Sequence, residues 1–355
     1  MNKTAVVIGG GVAGLSAAAA LAPDFKVTLL ERESAFGYHA SGRSAAMFEE
    51  NYGNAAVRAL NRASRATHEH FDVLSPRGLL MVALAGEVDA FEADLTDMGL
   101  AEISLEDARA RVPILSDRIM RAAIHEGASD LDTDRLMGAF GHVAKDSWAE
   151  LRRDTEVLGI TRTSQWHVET RSETIKADIV VDAAGAWADK IARMAGVSPL
   201  GLQPYRRSVA RVPAPAGHDV TGWPLLFGPG EDWYAKPDAG AWLVSPADED
   251  PVEPMDAWAD DMVLAEGIAR YEAHVSEPVT RMLTNWAGLR TFAPDRALVI
   301  GEASDASGFF WMAGQGGYGF QTAPAAGRLL ADLVLGRRPA LSARDVAALS
   351  PDRFA

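Results

Sequence analysis

Three glycines and one acid near the start of the chain have the types and spacing that bind a dinucleotide. Gly9, Gly11 and Gly14 follow the β-branched run Val6-Val7-Ile8, and Glu31 closes a second apolar run, 27–30. Gly9 permits a tight turn, Gly11 has no Cβ to keep the backbone from a pyrophosphate, and Gly14 lets the next helix pack close on the sheet. That helix, opened by Val12 and Ala13 and running over 12–22, points free N–H groups and a partial positive charge at the phosphates. Glu31 stands where a carboxylate accepts from ribose hydroxyls. Strand, turn, helix, strand and acid arrive in order within about 30 residues, which is far more specific than a lone glycine motif. The plain alternative is a glycine-rich turn that binds nothing.

Two later segments repeat this punctuation. An apolar strand over 177–182 ends in Ala183-Ala184-Gly185, and a helix over 187–195 follows. Gly185 allows close approach to a ligand. The strand 309–312 runs into Gly314-Gln315-Gly316-Gly317-Tyr318-Gly319 and a helix over 320–335, with Pro324 tolerable only near its first turn. A nicotinamide dehydrogenase has no need of a second glycine-rich helix end. A protein that grips both ends of FAD does: one helix dipole faces the pyrophosphate, the other the pyrimidine edge of the flavin, which gains negative charge on reduction. Between these segments, 80–84 reads as a short strand amid acidic helical patterns, and 200–290 reads as a sheet. In that sheet, 207–212 is a strand, and 233–236 and 242–244 flank the turn Pro237-Asp238-Ala239-Gly240. The fold class expected is α/β (mixed α+β). A Rossmann-like FAD-binding domain (1–75, 132–200 and 291–355) is interleaved with an antiparallel-sheet substrate-binding domain (76–131 and 201–290).

A chain of 355 residues buries a large core. Its net charge of −15 repels phosphate backbones and argues against nucleic acid. With no cysteine there is no disulfide, thiolate metal site or cysteinyl flavin link. Lys3, the apolar stretch after it and Ala22-Pro23 imitate a signal peptide, but the glycines and the strand ending in an acid argue against one. No apolar run reaches the roughly 20 residues that span a bilayer. A cytoplasmic location, no transmembrane segment and no metal are expected.

With both glycine loops placed, the chain resembles the D-amino acid oxidase/glycine oxidase superfamily of FAD-dependent amine oxidoreductases, and more narrowly the D-arginine dehydrogenases. The resemblance covers nearly the whole chain. It is carried by Gly37-Tyr38-His39-Ala40-Ser41-Gly42-Arg43-Ser44-Ala45-Ala46, Ala184-Gly185-Ala186-Trp187, Leu200-Gly201-Leu202-Gln203-Pro204 with Arg206-Arg207-Ser208, Tyr234-Ala235-Lys236-Pro237-Asp238-Ala239-Gly240, Trp286-Ala287-Gly288-Leu289-Arg290 and Gln315-Gly316-Gly317-Tyr318-Gly319. It implies that Arg207 and Arg290 clamp a substrate carboxylate with help from Tyr52 and Tyr234. The residue chemistry agrees, because a guanidinium fork matches a carboxylate and a phenol adds a neutral donor. Arg206 is the weaker candidate, since strand alternation turns it to the other face. Gly317 and Gln321 would line the site near the flavin, and 43–46 would lie along the isoalloxazine. Arg32, Ser41, Gly42, Val157, Ala184, Trp187, Gly288, Gly316, Tyr318, Gly319 and Phe320 join the expected cofactor contacts. Some relatives attach FAD through a histidine near His39; non-covalent FAD is expected here.

Departures from the D-arginine dehydrogenase pattern bear on the substrate. The acid expected after Ser75-Pro76-Arg77 is missing, because Gly78 and Leu79 follow; a histidine near the flavin is replaced by Met47; and Leu225 and Phe227 occupy pocket-wall positions. An unpaired guanidinium there is costly. Glu49 either supplies a replacement charge or is a solvated loop acid beside Glu50. His125, His142 and His274 read as scattered surface residues without a role. The function expected is oxidative deamination of D-amino acids, apolar ones before D-arginine, with hydride passing from the α carbon to the flavin and electrons leaving to oxygen or a quinone-linked carrier. The alternatives are a secondary-amine enzyme (sarcosine, glycine or a cyclic imino acid) and a non-catalytic flavin-binding subunit.

Overall fold

The computed structural model describes residues 3–354. One layer is a six-stranded sheet in the order Val299–Glu302, Phe309–Ala313, Ile179–Asp182, Lys3–Ile8, Phe25–Leu30, Glu150–Arg152. Only the edge strand Val299–Glu302 runs antiparallel. The central strands are covered on both faces, which is why Val6-Val7-Ile8 is a continuous apolar run without alternation. Ile8 stands in register with both Leu30 and Asp182, so three strands end at one carboxyl edge. In open parallel sheets ligands lie in the crevice beyond that edge.

Helix Val12–Leu21 leaves that edge and is buried almost all round, packing on helices Thr133–Asp146 and Gly319–Leu335. Small residues make this possible. A Cβ at Gly327 would lie 2.7 Å from the Ser16 carbonyl oxygen, and one at Gly14 would lie 1.8 Å from the Gly9 oxygen. The second glycine-rich segment opens Gly319–Leu335, which ends on Gly336 in the left-handed region.

The other large sheet runs Asp250–Pro251, Gln203–Pro213, Ala241–Ser245, Tyr234–Asp238, Leu225–Phe227, Leu79–Ala83, Arg121–His125, Ala101–Ile103, and Thr284–Phe292 lies along Gln203–Pro213. It is antiparallel except that Leu79–Ala83 and Leu225–Phe227 run parallel. The turn expected at 237–240 is tighter than its composition indicated: Pro237 is still in the strand, and only Ala239 and Gly240, both at positive φ, make the hairpin. The region 200–290 is not all sheet either. Helix Asp261–His274 sits within it, started by Asp260, whose carboxylate accepts from the Met262 and Val263 amides. Its buried face, Leu264, Gly267, Tyr271 and His274, is broken by a glycine, because a Cβ there would lie 2.4 Å from Pro246 Cα. Among the described residues no helix is long and apolar enough to cross a membrane.

Gly14→Ala tests the close packing of the first helix on its own turn. The 1.8 Å contact cannot be relieved by a side-chain rotation, because its partner is backbone. Overpacking of this kind costs about 1–3 kcal/mol. The variant is expected to melt several degrees lower and to retain less flavin; wild-type melting and flavin content would show that the helix moves freely.

Candidate active site

A cleft of about 390 Å³ runs along the carboxyl edge of the parallel sheet and reaches under the second sheet. Its first end is the opening glycine turn. Gly9 has φ +110°, donates to the Leu30 oxygen at 2.9 Å, and leaves no room for a Cβ, which would lie 2.4 Å from the Ala183 oxygen. Gly11, Val12 and Ala13 face the cleft, and Ser41 Oγ accepts from the Val12 amide at 3.0 Å. The Glu31 carboxylate is oriented by two backbone donors, Gly10 N at 2.7 Å and Glu33 N at 2.9 Å. Each of its oxygens keeps a lone pair for a hydroxyl. Arg32 stacks on Trp187 at 4.4 Å, and the Glu33 carboxylate accepts from His39 Nε2 at 2.9 Å beside the same indole.

Residues 43–46 line the cleft. The Arg43 side chain turns away, to the Ala257 and Ala287 oxygens (2.9 and 3.0 Å) and Asp256 (2.5 Å). At the far end, Gly316 (φ +51°) donates to the Thr291 oxygen at 2.9 Å; a Cβ there would lie 2.2 Å from the Phe292 ring. The Arg290 guanidinium lies against Gly317, 3.1 Å from where a Cβ would stand. Arg207 is buried and pairs with Glu249 at 2.9 Å. Burial, and after it the charge of Arg290, lowers the Arg207 pKa. Burial also opposes the Arg290 charge, but Tyr52, Tyr234, Glu231 and Glu249 outweigh it and hold that pKa above its ordinary value.

The cleft brings together Gly9, Gly11, Val12, Ala13, Glu31, Arg32, Ser41, Arg43, Ser44, Ala45, Ala46, Met47, Val157, Ala184, Gly185, Trp187, Arg207, Tyr234, Gly288, Arg290, Gly316, Gly317, Gly319, Phe320 and Gln321. Other expected residues stand behind this wall. Gly14 and Gly42 are packed under their own turns. Tyr318 is edge-on to Tyr52 at 5.1 Å and to Phe292 at 6.1 Å, and the Tyr52 hydroxyl donates to Glu231 at 3.0 Å. Leu79, Leu225 and Phe227 form a buried cluster against which Met47 and Tyr234 pack. Glu49 is corrected outright. It is neither solvated nor facing the cleft: it is 5% exposed, its carboxylate meets His125 Nδ1 at 2.5 Å and the Asn51 amide at 2.9 Å, and its own N–H donates to Gln321 Oε1 at 3.2 Å. His125 and His274 are not idle surface residues, since His274 is buried and contacts Glu87 at 2.9 Å; His142 alone is exposed. Sequence reasoning missed Glu231, Glu249, Thr291 and His68 at or around the site. None carries a local pattern, because each is brought in by the register of distant strands or by helix packing.

Four buried polar atoms around the cleft have no partner: His39 Nδ1, Arg207 Nε, Thr291 Oγ1 and Gln321 Nε2. Buried donors are rarely left so without a ligand. Together with two glycine cradles that a Cβ would fill and an oriented acid at the strand end, they fit FAD and a small anion beside it. No cluster of potential metal ligands occurs among the described residues.

The sequence profile of FAD dependent oxidoreductases matches residues 4–333. The chain is 28% identical to the glycine oxidase of Pseudomonas aeruginosa, with 96% of each covered. It superposes on the crystal structure of glycine oxidase from Geobacillus kaustophilus with a TM-score of 0.84 at 24% identity, covering 98% of this chain and 97% of that one. The crystal structure of L-proline dehydrogenase from P. horikoshii gives 0.85 at 24% identity, covering 99% and 98%.

His68 supplies a pH test of the packing behind Gln321. It is fully buried, its Nε2 lies 3.0 Å from the Gln321 oxygen, and burial lowers its pKa from 6.5 to about 4. The folded chain therefore holds it neutral at a pH where the unfolded chain binds a proton. The stability linked to His68 is full above pH 6.5 and drains away as pH falls toward 4. Melting temperatures measured across that window are expected to fall more steeply for wild type than for His68→Gln; parallel curves would remove His68 from the account.

Proposed function

The chain belongs to the FAD-dependent oxidoreductase family, and from that premise we propose that it oxidises D-amino acids to 2-oxo acids and ammonia, preferring apolar side chains to that of D-arginine. The observation that carries this reading is the pair Arg207 and Arg290 at one end of the cleft, beside Tyr234 and in front of the apolar cluster of Leu79, Leu225 and Phe227. Two guanidiniums and a phenol are a donor set for a carboxylate. Tyr52 stands behind the cleft wall with its hydroxyl given to Glu231. Gly317 and Gln321 line the same space. Bound FAD supplies the two-electron oxidation that turns the substrate amine into an imine, which water hydrolyses. The chain's part is to hold the carboxylate, fix the α carbon and exclude water. The first glycine turn and Glu31 would hold the pyrophosphate and ribose, and 43–46 with the second glycine turn would hold the ring end.

The likeness to glycine oxidase favours a second reading, oxidation of glycine, sarcosine or a cyclic imino acid. Leu79, Leu225 and Phe227 decide between the two. A Leu-sized substrate chain gains about 0.8 kcal/mol per buried methylene if they accommodate it. A panel of D- and L-amino acids, glycine, sarcosine and proline, assayed with oxygen and with an artificial acceptor, separates the readings. D-leucine, D-methionine or D-phenylalanine is expected to exceed D-alanine at least tenfold in kcat/KM, and to exceed D-arginine. Glycine or sarcosine as best substrate would overturn the proposal. Arg290→Ala is expected to lose about two to four decades in kcat/KM, the equivalent of roughly 3–5 kcal/mol for an unpaired buried carboxylate; near-normal turnover in a folded variant would remove Arg290 from the clamp.

FAD is proposed to be non-covalent, since no cysteine exists and His39 is engaged with Glu33 and Trp187. Acid precipitation is expected to release the yellow colour to the supernatant. Colour retained in the pellet would point to His39.

A further inference from the structure

Arg207 meets a carboxylate of this same chain before any substrate arrives. Glu249 Oε1 accepts from Arg207 at 2.9 Å, and Arg296 reaches both Glu249 oxygens at 2.9 Å. One carboxylate therefore serves two guanidiniums, one 7% exposed and one 44% exposed. Arg296 is itself fixed. It lies 3.8 Å over the face of Phe292, the ring that packs against Gly316 in the second glycine turn. A lone carboxylate on a buried arginine would cancel the charge that a substrate anion needs. Shared with Arg296, it orients Arg207 and leaves positive charge over. Glu249 takes only Nη2 of Arg207, a residue of the cleft wall, and among the described residues Nη1 has no hydrogen-bond partner.

We propose that Glu249 and Arg296 are positioning residues: Glu249 holds Arg207 in the clamp, and Arg296 draws enough of the Glu249 charge away that Arg207 still attracts a substrate carboxylate. This rests on the reading that Arg207 binds that carboxylate. The sense of each substitution follows. Removing Arg296 leaves the whole Glu249 charge on Arg207 and weakens anion binding. Removing the charge of Glu249 while keeping its hydrogen-bonding oxygen, as glutamine does, restores it.

The test uses the FAD-loaded protein and benzoate, a carboxylate with no amine to oxidise, with Kd read from the flavin absorbance change and by calorimetry. Arg296→Ala is expected to weaken benzoate roughly tenfold. Adding Glu249→Gln to it is expected to bring Kd back to within about twofold of wild type. A merely structural role does not give that reversal, because the double variant has lost more contacts than the single one. Arg296→Gln serves as a second variant should Arg296→Ala melt markedly lower. An unchanged Kd in both Arg296 variants, or a loss that Glu249→Gln fails to reverse, overturns the proposal. Arg207→Ala separates it from the reading beneath it. If Arg207→Ala weakens benzoate while the Arg296 variants do not, only the relay fails; if Arg207→Ala leaves benzoate unchanged, the clamp reading fails and the relay with it.

Discussion

Two like charges on one face of one sheet are the constraint around which the cleft is arranged. Gln203–Pro213 pairs antiparallel with Thr284–Phe292, placing Arg207 opposite Gly288 and Tyr205 opposite Arg290. Alternation puts Arg207, Gly288 and Arg290 on one face, with the arginines as diagonal neighbours roughly 7–8 Å apart at the backbone. Gly288 leaves the space between them open. Neither guanidinium is well solvated, and each repels the other, so the surroundings must be rich in acceptors. Glu231 and Glu249 supply negative charge from two different segments, and Tyr52 and Tyr234 stand with them around Arg290. A small anion in the gap would relieve the repulsion further, which is the physical reason to read the pair as a carboxylate site.

The same strand joins this end of the cleft to the other. Beyond Arg290 it continues through Thr291, whose carbonyl accepts from Gly316, to Phe292, which occupies the space a Gly316 Cβ would need. The second glycine turn is thus built against the arginine strand. The helix it opens packs on the helix of the first glycine turn, where Gly327 lies against Ser16.

Much of this was legible in residue order because it rests on local rules. An apolar run, a glycine with positive φ and a helix leave an unmistakable imprint at 6–21, and again at 309–335. Elements whose stability comes from distant partners left less. Helix Asp261–His274 interrupts its own apolar stripe with Gly267 to admit Pro246, so its periodicity is weak. The hairpin at 239–240 uses an alanine at positive φ, which sequence rules do not favour. Glu49 and His125 illustrate the limit for side chains. They are 76 residues apart, and nothing near either announces that they meet.

The Glu49–His125 contact also bears on substrate choice under the proposed function. Leu79 is in register with His125 on one side and with Leu225 on the other, so the apolar wall and the imidazole belong to adjacent strands. Alternation divides the run 79–82 between two cores, sending Leu79 and Met81 to the wall behind Met47 and Tyr234, and Leu80 and Val82 to the opposite face. His125, directly opposite Leu79, shares that face, so the wall carries an imidazole at its side. Glu49, in the neighbouring loop, is already matched by an imidazole at 2.5 Å and an amide at 2.9 Å. A basic substrate side chain drawn to Glu49 would have to break that buried pairing, stranding His125 as it did so. An apolar side chain would leave it intact.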